Sequence, residues 1–272
     1  MTHTMTSPAP TNPDCEPRRV LQALIDAGTD EARRDAATAH QPQAAVGLIT
    51  SSAMGALLVG LGNRGVVMIH FIRRATDAAE AMAKLRRACD PVLDQGAVKG
   101  VDEELRRFMA GDDAALRSRI DLSLVKAPFQ RRVLELLLEV GPGAIATYAA
   151  LAAWAGAPNA ARAVGAAMHD NPLPVYVPCH RVVRSDLSLG GYGGGLDLKR
   201  KLLEVEGFSF TPAGAVAQDG TVWGNRDTWV FCRPGCRALA RTKRTSMLLL
   251  RDTARAAQAG MRPCGICLGR EA

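Results

Sequence analysis

The sequence predicts an α+β protein, and three observations lead to that prediction. A strand-like apolar stretch begins near Val46, helical periodicity dominates from about residue 127, and a short basic tail rich in cysteine ends the sequence. The 272 residues, 47% of them hydrophobic, are enough for one large or two modest cores. We expect four parts: an N-terminal extension over 1–44, a sheet-and-helix domain over 45–124, a helical domain over 125–212 and a small module over 213–272.

The first core is predicted to be a hairpin followed by helices. Two apolar runs flank Gly62-Asn63-Arg64-Gly65, and Gly and Asn suit the positive φ angles of a tight hairpin turn. Asp77 is placed to cap a helix in AAEAMAKLRRA, where apolar residues recur at helical spacing and Cys89 packs as a small hydrophobe. A second helix, interrupted at Gly111, is expected over residues 101–117.

The helical domain is predicted from its caps and breakers. The segment PFQRRVLELLLEV ends at a Gly-Pro-Gly sequence, Thr147 caps TYAALAAWAG, and Asn159 is placed to cap AARAVGAAMHD. Two short helices joined by a tight turn are typical of a helix-turn-helix, although such pairs are also common in packed cores. The apolar run VYV that follows is expected to place Cys179 at the end of a strand.

Pro178-Cys179-His180-Arg181 is the most informative stretch, eight residues beyond Asn171. The attacking form of cysteine is the thiolate, and a neighbouring imidazole can take the thiol proton, so this pair has the composition of a nucleophilic centre. Cys beside His is weak evidence when taken alone. A buried structural cysteine next to a surface histidine is the alternative.

The tail carries a second cysteine constellation. Cys232 and Cys236 form one close pair, Cys264 and Cys267 form another, and 27 residues separate the pairs. Four thiolates in two such pairs suit tetrahedral Zn²⁺, so the spacing predicts a zinc site. Residues 226–272 also contain ten Lys plus Arg against three Asp plus Glu, as a module that contacts phosphates would, whereas a solvated charged tail is the alternative.

Composition limits the compartment and the partners. No apolar run approaches the roughly 18 residues that a membrane span needs, and the first residues lack the pattern of a secretion signal. Seven unevenly spaced cysteines favour thiol and metal chemistry over a disulfide framework. We therefore expect a cytoplasmic protein with no membrane partner.

The strings FQRRVL, ATYAALA, NAARAVGAAMHDNPLPVYVPCHRVV and GGYGGGLDLKRKLLEVEG closely resemble the O6-alkylguanine-DNA alkyltransferases over about residues 45–210. The resemblance implies a ribonuclease-H-like sheet-and-helix domain and a winged-helix-like helical domain that binds alkylated double-stranded DNA through the minor groove as a monomer. It also implies DNA repair by a single-turnover transfer of the alkyl group from O6-alkylguanine, and from O4-methylthymine, to Cys179, without a cofactor at that centre.

Five residues match the catalytic positions of that family. By resemblance, Cys179 is the alkyl acceptor, His180 takes its proton through a water, Glu206 holds the imidazole, Tyr148 protonates or hydrogen-bonds guanine N3, and Asn171 holds the turn that shapes the site. Two alternatives stay open. In one, Tyr148 is a core residue at the start of a helix. In the other, Glu206 is a surface acid at the end of a helix. Glu204, its near neighbour, ranks below Glu206 for the role of holding the imidazole.

The resemblance also implies a set of DNA-binding residues. Arg162 matches an arginine that fills the space left by the extruded base, with Ala161 beside it, and a contact with phosphate or plain solvation is its alternative. Tyr192 and Gly194 belong to a glycine-rich wall of the site, and Lys199 either binds DNA or lies at the surface. The loop sequence GGYGGG and Thr147 in place of the usual serine put the tolerance for larger alkyl groups in doubt.

The strings DGTVWGNRDTWVFCRPGC and ARAAQAGMRPCGIC resemble the zinc domain of the Ada adaptive-response protein. That resemblance implies a second methyl acceptor at Cys232, supplied by phosphotriesters of the DNA backbone, with nearby arginines and Lys243 on the flanking phosphates. The motif stands at the N-terminus in that family, but here it follows the alkyltransferase-like region. A zinc module that only supports structure, a methylation-sensing transcription regulator and a damage-recognition protein without transfer activity are the competing hypotheses.

Overall fold

A computed structural model describes residues 43–50 and 52–269 and shows the expected mixed α+β class. The chain divides into two compact units, Met1–Asp102 and Glu103–Ala272. The predicted extension over residues 1–44 lies almost entirely outside the described residues. Among the described residues, no helix is both long enough and apolar enough to cross a membrane.

The first unit contains a four-stranded sheet in the order β3-β2-β1-β4. Strands β1 to β3 are antiparallel neighbours, and β4 pairs with β1 in parallel. The Gly62–Gly65 turn joins β2 to β3, so the predicted hairpin is confirmed, and the apolar stretch holds a third strand before it. The bounds are β1 Gln43–Ile49, β2 Ala56–Gly62, β3 Gly65–Ile72, β4 Asp90–Leu93 and a helix, α1, at Ala75–Arg86.

The start of α1 differs slightly from the prediction. The helix begins after Arg74, and Asp77 lies in its first turn, where one carboxylate oxygen accepts hydrogen bonds from the main-chain N–H groups of Arg73 and Arg74. Asp77 therefore still satisfies groups at the helix start, although it is not the cap residue. Cys89 lies just beyond α1, where it is buried and its thiol donates to the Leu85 carbonyl.

Short helices and a six-stranded sheet build the second unit. Helix α2 is Lys99–Met109, so the helix predicted over 101–117 stops close to the interruption expected at Gly111, and residues 111–117 are not helical. The other helices are α3 Pro128–Leu138, α4 Tyr148–Trp154, α5 Ala161–His169, α6 Leu196–Val205 and α7 Thr253–Gln258. The strands are β5 Ala144–Thr147, β6 Val182–Val183, β7 Val222–Asn225, β8 Val230–Cys232, β9 Met247–Leu250 and β10 Arg262–Pro263.

One sheet joins the helical region to the cysteine-rich tail. The strand order is β10-β8-β7-β9-β5-β6, in which β9 pairs antiparallel with β5, and β5 pairs in parallel with β6. A shared core lies on it, with Ile145 and Val183 contributed by the helical region and Trp223, Met247 and Leu249 by the tail. The segment from residue 213 onward thus packs as part of the same unit.

The helix-turn-helix prediction agrees with the structure in outline. Helices α4 and α5 are joined by residues 155–160, and the Thr147 hydroxyl accepts a hydrogen bond from the Ala150 amide as the predicted cap. Asn159 is not the cap of α5, because Ala160 occupies that position and makes no side-chain cap.

The predicted strand leading into Cys179 is wrong. The residues before it form a buried irregular segment in which Val175 has a φ of 76°, and Cys179–Arg181 is a 3-10 turn that precedes the short strand β6. The difference is explained by three prolines, Pro172, Pro174 and Pro178, because each lacks the N–H that the hydrogen-bonded ladder of a strand requires.

Candidate active site and metal centre

Cys179 begins the 3-10 turn and is held from one side by Asn171. Its side chain is only 7% exposed, and Sγ accepts a hydrogen bond from the Asn171 amide nitrogen at 3.3 Å. The same amide nitrogen donates to the Val177 carbonyl at 2.9 Å, and the amide oxygen accepts from the Leu173 N–H at 3.0 Å. Asn171 therefore fixes both the turn and the sulfur.

The surroundings of Cys179 do not make it a thiolate by themselves. Burial raises the pKa of the thiol, whereas the Asn171 hydrogen bond and the charge of Lys199 lower it. Because burial is the largest of these effects, the net pKa is raised. A proton acceptor is therefore needed to generate the nucleophile.

His180 has the properties of that acceptor. The ring is fully buried, Nε2 lies 3.0 Å from a carboxylate oxygen of Glu206, and Nδ1 has no hydrogen-bond partner among the residues that the structure describes. Burial lowers the pKa of His180, although Glu206 opposes the shift. A neutral ring that donates from Nε2 to the carboxylate leaves Nδ1 as the nitrogen able to receive a proton.

Glu206 is the carboxylate at the C-terminal end of α6. Arg181 donates from Nε to both carboxylate oxygens, at 2.9 and 3.0 Å, and from Nη2 to one of them at 2.7 Å. Burial alone would raise the pKa of Glu206, but the charges of Arg181 and His180 outweigh it and lower the pKa to about 2. Glu204 is exposed, so the structure brings Glu206 rather than its neighbour to the imidazole.

Lys199 departs from the prediction of a DNA-contacting or surface residue. It is fully buried on α6, and its ammonium donates to the carbonyls of Val182 at 2.6 Å, of Gly191 at 3.3 Å and of Leu189. Burial lowers its pKa to about 8, even though Cys179 opposes the shift. Its physical role is therefore to tie α6 to the strand and loop that flank Cys179.

Tyr148 and the glycine-rich loop meet at the start of α4. The phenol donates to the Gly191 carbonyl at 3.4 Å, and burial raises its pKa. Gly190 has a φ of 66°, and a β-carbon there would lie 2.9 Å from the Tyr148 ring and hydroxyl, so a larger residue would displace the phenol. Tyr192 and Gly194 are both half-buried. Burial and the nearby Cys179 raise the pKa of Tyr192.

Arg162 and Ala161 occupy the first turn of α5. Arg162 is exposed and Ala161 is half-buried. Arg162 is therefore the exposed member of the predicted catalytic and DNA-binding residues, whose other members are buried or half-buried.

The four tail cysteines form a compact cluster. The sulfur atoms of Cys232, Cys236, Cys264 and Cys267 all lie within 4.8 Å of one another. A tetrahedral zinc site with sulfur at about 2.3 Å from the metal has sulfurs about 3.8 Å apart, so the cluster is close to the required size. Burial and the adjacent Cys264 raise the pKa of Cys232, so a cation is what would hold the Cys232 sulfur as a thiolate. The donor set fits zinc.

Comparison with known proteins gives the family. The family model described as the DNA binding domain of 6-O-methylguanine DNA methyltransferase matches residues 128–208. A methylated-DNA-protein-cysteine methyltransferase of Rattus norvegicus is 38% identical over 188 residues, which cover 63% of this chain and 85% of that protein. The chain belongs to this family. The protein of the same name from Mycobacterium bovis is 42% identical over 113 residues, covering 42% of this chain and 67% of the relative.

Two further comparisons concern the fold and the tail. The OGT protein of Mycobacterium tuberculosis, solved in complex with DNA, has a TM-score of 0.50 and 32% identity and covers 60% of this chain and 92% of its own. The model of the metal binding domain of Ada matches residues 215–268. The four-cysteine cluster lies within that match, which supports the zinc prediction.

Sequence reasoning missed two arginines that organise the site. Arg181 directly follows the Cys-His pair, and its position in that motif was an available signal for its contact with Glu206. Arg251 contacts the main chain of Glu206 from 45 residues further along the sequence, and no local pattern distinguishes it from the other arginines of the tail.

Proposed function

We propose that this protein is a DNA repair methyltransferase that transfers the alkyl group of O6-alkylguanine, and of O4-methylthymine, irreversibly to Cys179. The observation that carries the proposal is the buried His180–Glu206 pair beside a cysteine whose pKa is raised. An imidazole with a free Nδ1 and a carboxylate at Nε2 is the arrangement that activates a neighbouring nucleophile. Membership of the methyltransferase family supports the same reaction.

The proposed step balances as a single displacement. The Cys179 proton passes to His180 Nδ1, through one water, and the thiolate attacks the alkyl carbon. A sulfur–carbon bond forms, the bond from that carbon to guanine O6 breaks, and the proton held by His180 returns to the departing guanine. Glu206 stabilises the intermediate imidazolium, and the thioether product explains why each molecule reacts once.

Tyr148 and the glycine loop are proposed to assist the leaving group. Guanine departs with excess negative charge, and a phenol that donates a hydrogen bond to guanine N3 lowers that cost. The Tyr148 hydroxyl donates a long hydrogen bond, 3.4 Å, to the Gly191 carbonyl, so it is available to exchange this partner for guanine N3. The main-chain N–H groups near Gly194 are proposed to approach guanine O6.

Helices α4 and α5 are proposed to act as a winged-helix-like reader of the minor groove. O6 of a paired guanine is buried in the base stack, so the nucleotide must be extruded into the pocket. Arg162 is exposed on the first turn of α5 beside Ala161 and is proposed to fill the vacated space. We further propose that the sheet of the first unit is ribonuclease-H-like and that the protein acts as a cytoplasmic monomer.

The four-cysteine cluster is proposed to bind Zn²⁺ as a structural ion. When bound, zinc stabilises the thiolate form of its ligands and links the two chain segments that carry the cysteine pairs. Methyl transfer from phosphotriesters to Cys232 is the second candidate role. It is favoured by exposed basic residues that could meet the DNA backbone, namely Arg233, Arg237, Arg241, Lys243 and Arg244, although Cys232 itself is only 5% exposed.

The named relatives favour repair over the competing transcription-regulator hypothesis, because they are named as methyltransferases. A damage-recognition protein without transfer activity would also lack a use for the activated Cys179.

Labelling separates these roles. The protein is incubated with duplex DNA carrying radiolabelled O6-methylguanine, or separately labelled methylphosphotriesters, and labelled peptides are identified by mass spectrometry. We expect O6-methylguanine to label only Cys179, with complete loss in Cys179→Ala and no change in Cys232→Ala. Undiminished label in Cys179→Ala would contradict the main proposal. A phosphotriester substrate that leaves Cys232 unlabelled would leave the tail cluster a structural role only.

A further inference from the structure

Arg251 links the cysteine-rich tail to the carboxylate of the candidate active site. It directly follows β9, and its main-chain N–H donates to the Gly143 carbonyl at 2.9 Å, continuing the ladder between β9 and β5. Its Nη1 donates to the main-chain carbonyl of Glu206 at 3.2 Å and lies 2.8 Å from a carboxylate oxygen of Asp113. Gly143 thus holds the main chain of Arg251, and Glu206 and Asp113 hold its guanidinium.

The aliphatic part of Arg251 lies against two glycines that adjoin Glu206. A β-carbon at Gly143 would be 2.9 Å from the Arg251 Cδ, and one at Gly207 would be 3.1 Å from it. Both glycines have positive φ, 66° and 90°, so each position favours glycine for its backbone as well as for the space. Gly143 N–H faces the Glu206 carboxylate at 3.4 Å, and Gly207 is the next residue in the chain.

These contacts act on the part of Glu206 that Arg181 does not hold. Arg181 and His180 belong to the same 3-10 turn as Cys179, and the part of Glu206 that they contact is the carboxylate. The main chain of Glu206 ends α6, where carbonyl groups lack helical partners, and Arg251 supplies one from the tail. Arg251 therefore connects the end of α6 to the residues that precede β5.

We propose that Arg251 is a positioning residue for Glu206, through which the cysteine-rich tail supports the alkyl-acceptor site. The inference rests on the proposed function, because its consequence is read at Cys179. The groups that face Glu206 come from four parts of the unit: His180 and Arg181 from the 3-10 turn, the Gly143 amide, Tyr192 from the glycine-rich loop, and Arg251 and Arg255 from the tail. Asp113 lies beside the two tail arginines.

Arg251→Ala is compared with Arg251→Lys and with a matched control, Arg226→Ala. Arg226 also links the tail to the helical region, through an ion pair with Glu139 and a guanidinium carbon 4.1 Å from the centre of the Trp154 ring. Within the part of the chain that the structure describes, it forms no ion pair with Glu206. Single-turnover methylation of Cys179 by O6-methylguanine DNA is followed from pH 5 to 9, together with zinc content and melting temperature of the full chain.

We expect Arg251→Ala to slow methylation about tenfold at pH 7 and to move the rising limb of the pH profile to higher pH. A displaced Glu206 leaves His180 a weaker base, so deprotonation of Cys179 requires higher pH. Arg251→Lys keeps a donor near the carbonyl and should restore most of the rate. Arg226→Ala should lower the melting temperature but leave the pH profile unchanged.

Two outcomes would overturn the inference: an Arg251→Ala pH profile equal to that of Arg226→Ala, or no rescue by lysine. If Arg251→Ala does not fold, Arg251→Gln takes its place, because glutamine keeps most of the aliphatic part that lies against Gly143 and Gly207. The pH profile of Cys179 methylation is then measured for that variant. Absence of Cys179 methylation in the unaltered protein would instead contradict the proposed function, so the two failures are distinguishable.

Discussion

Two regions of the second unit use cysteine in different surroundings. Cys179 is a single thiol that precedes His180 and Arg181 in the chain, and both of these residues contact the Glu206 carboxylate. The sulfur of Cys232, in contrast, lies within 4.8 Å of three other cysteine sulfurs. The first arrangement offers a base for one proton. The second offers four ligands to one cation. The same side chain is thus suited to proton-activated attack in one place and to metal binding in the other.

Burial does not distinguish the two regions. Cys179 and Cys232 are 7% and 5% exposed, and burial raises the pKa of both thiols. What differs is the effect of the neighbours. The Asn171 hydrogen bond and the charge of Lys199 oppose the effect of burial at Cys179, whereas the neighbouring cysteines add to it at Cys232. The partners of a buried cysteine therefore indicate its chemistry better than its depth does.

Removing a ligand from the cluster is the strongest test of this contrast. Cys264→Ser is expected to abolish stoichiometric zinc binding and to destabilise the second unit by at least about 3 kcal/mol, since binding of a structural zinc is coupled to folding. Metal content by atomic emission and unfolding in urea measure both effects. Cys89→Ser is the matched control, because Cys89 is also buried but lies in the first unit outside both sites.

The control should keep one zinc per chain and unfold with a much smaller change. Full zinc occupancy in Cys264→Ser would show that the cluster is not a four-thiolate site. Equal destabilisation by Cys89→Ser would remove the reason to separate metal binding from ordinary packing.

The pH dependence of stability tests the ion pair that marks the Cys179 region. The folded pKa of Glu206, about 2, is below its ordinary value, so its stabilisation is present above about pH 4.5 and is lost as the pH falls towards 2. The difference corresponds to about 3 kcal/mol. Glu206→Gln should flatten the urea-derived unfolding free energy over this window and should also destabilise the protein at neutral pH, because Arg181 then lacks its carboxylate.

Glu204→Gln provides the control, since that carboxylate is exposed two residues away. It should leave the acid dependence unchanged. If the unfolding free energy of Glu206→Gln still depends on pH as in the unaltered protein, another group causes the acid sensitivity. The buried Glu206–Arg181 ion pair would then not contribute to it.

The sequence could predict the parts of both sites that short motifs encode. Cys179 and His180 are adjacent, the two cysteine pairs have metal-ligand spacing, and the hairpin at Gly62–Gly65 has a local turn signal. Family resemblance supplied Glu206, and the structure brings it to His180. Each of these depends on neighbouring residues or on a motif in register, which one sequence displays directly.

Long-range pairing could not be predicted in the same way. Strand β9 pairs with β5 across about 100 residues, and nothing in either four-residue strand specifies its partner, so Arg251 gave no signal. The prolines before Cys179 were visible, but the β-branched residues between them favoured a strand that those prolines prevent. Lys199 was misjudged because a lysine is rarely buried, and here three carbonyls compensate its burial.

The smallest expected effect concerns how DNA reaches the Cys179 region. Arg162→Ala is expected to slow Cys179 methylation by duplex O6-methylguanine about fivefold, because an arginine that fills the vacated space offsets about 1 kcal/mol of the unstacking cost. Reaction with the free base O6-methylguanine should be unchanged, since no nucleotide is extruded. The exposed Arg132 of α3 supplies the control variant, Arg132→Ala, which should react normally with both substrates. Equal slowing on the free base would place Arg162 in the pocket itself, and no slowing on duplex DNA would leave it a solvated arginine.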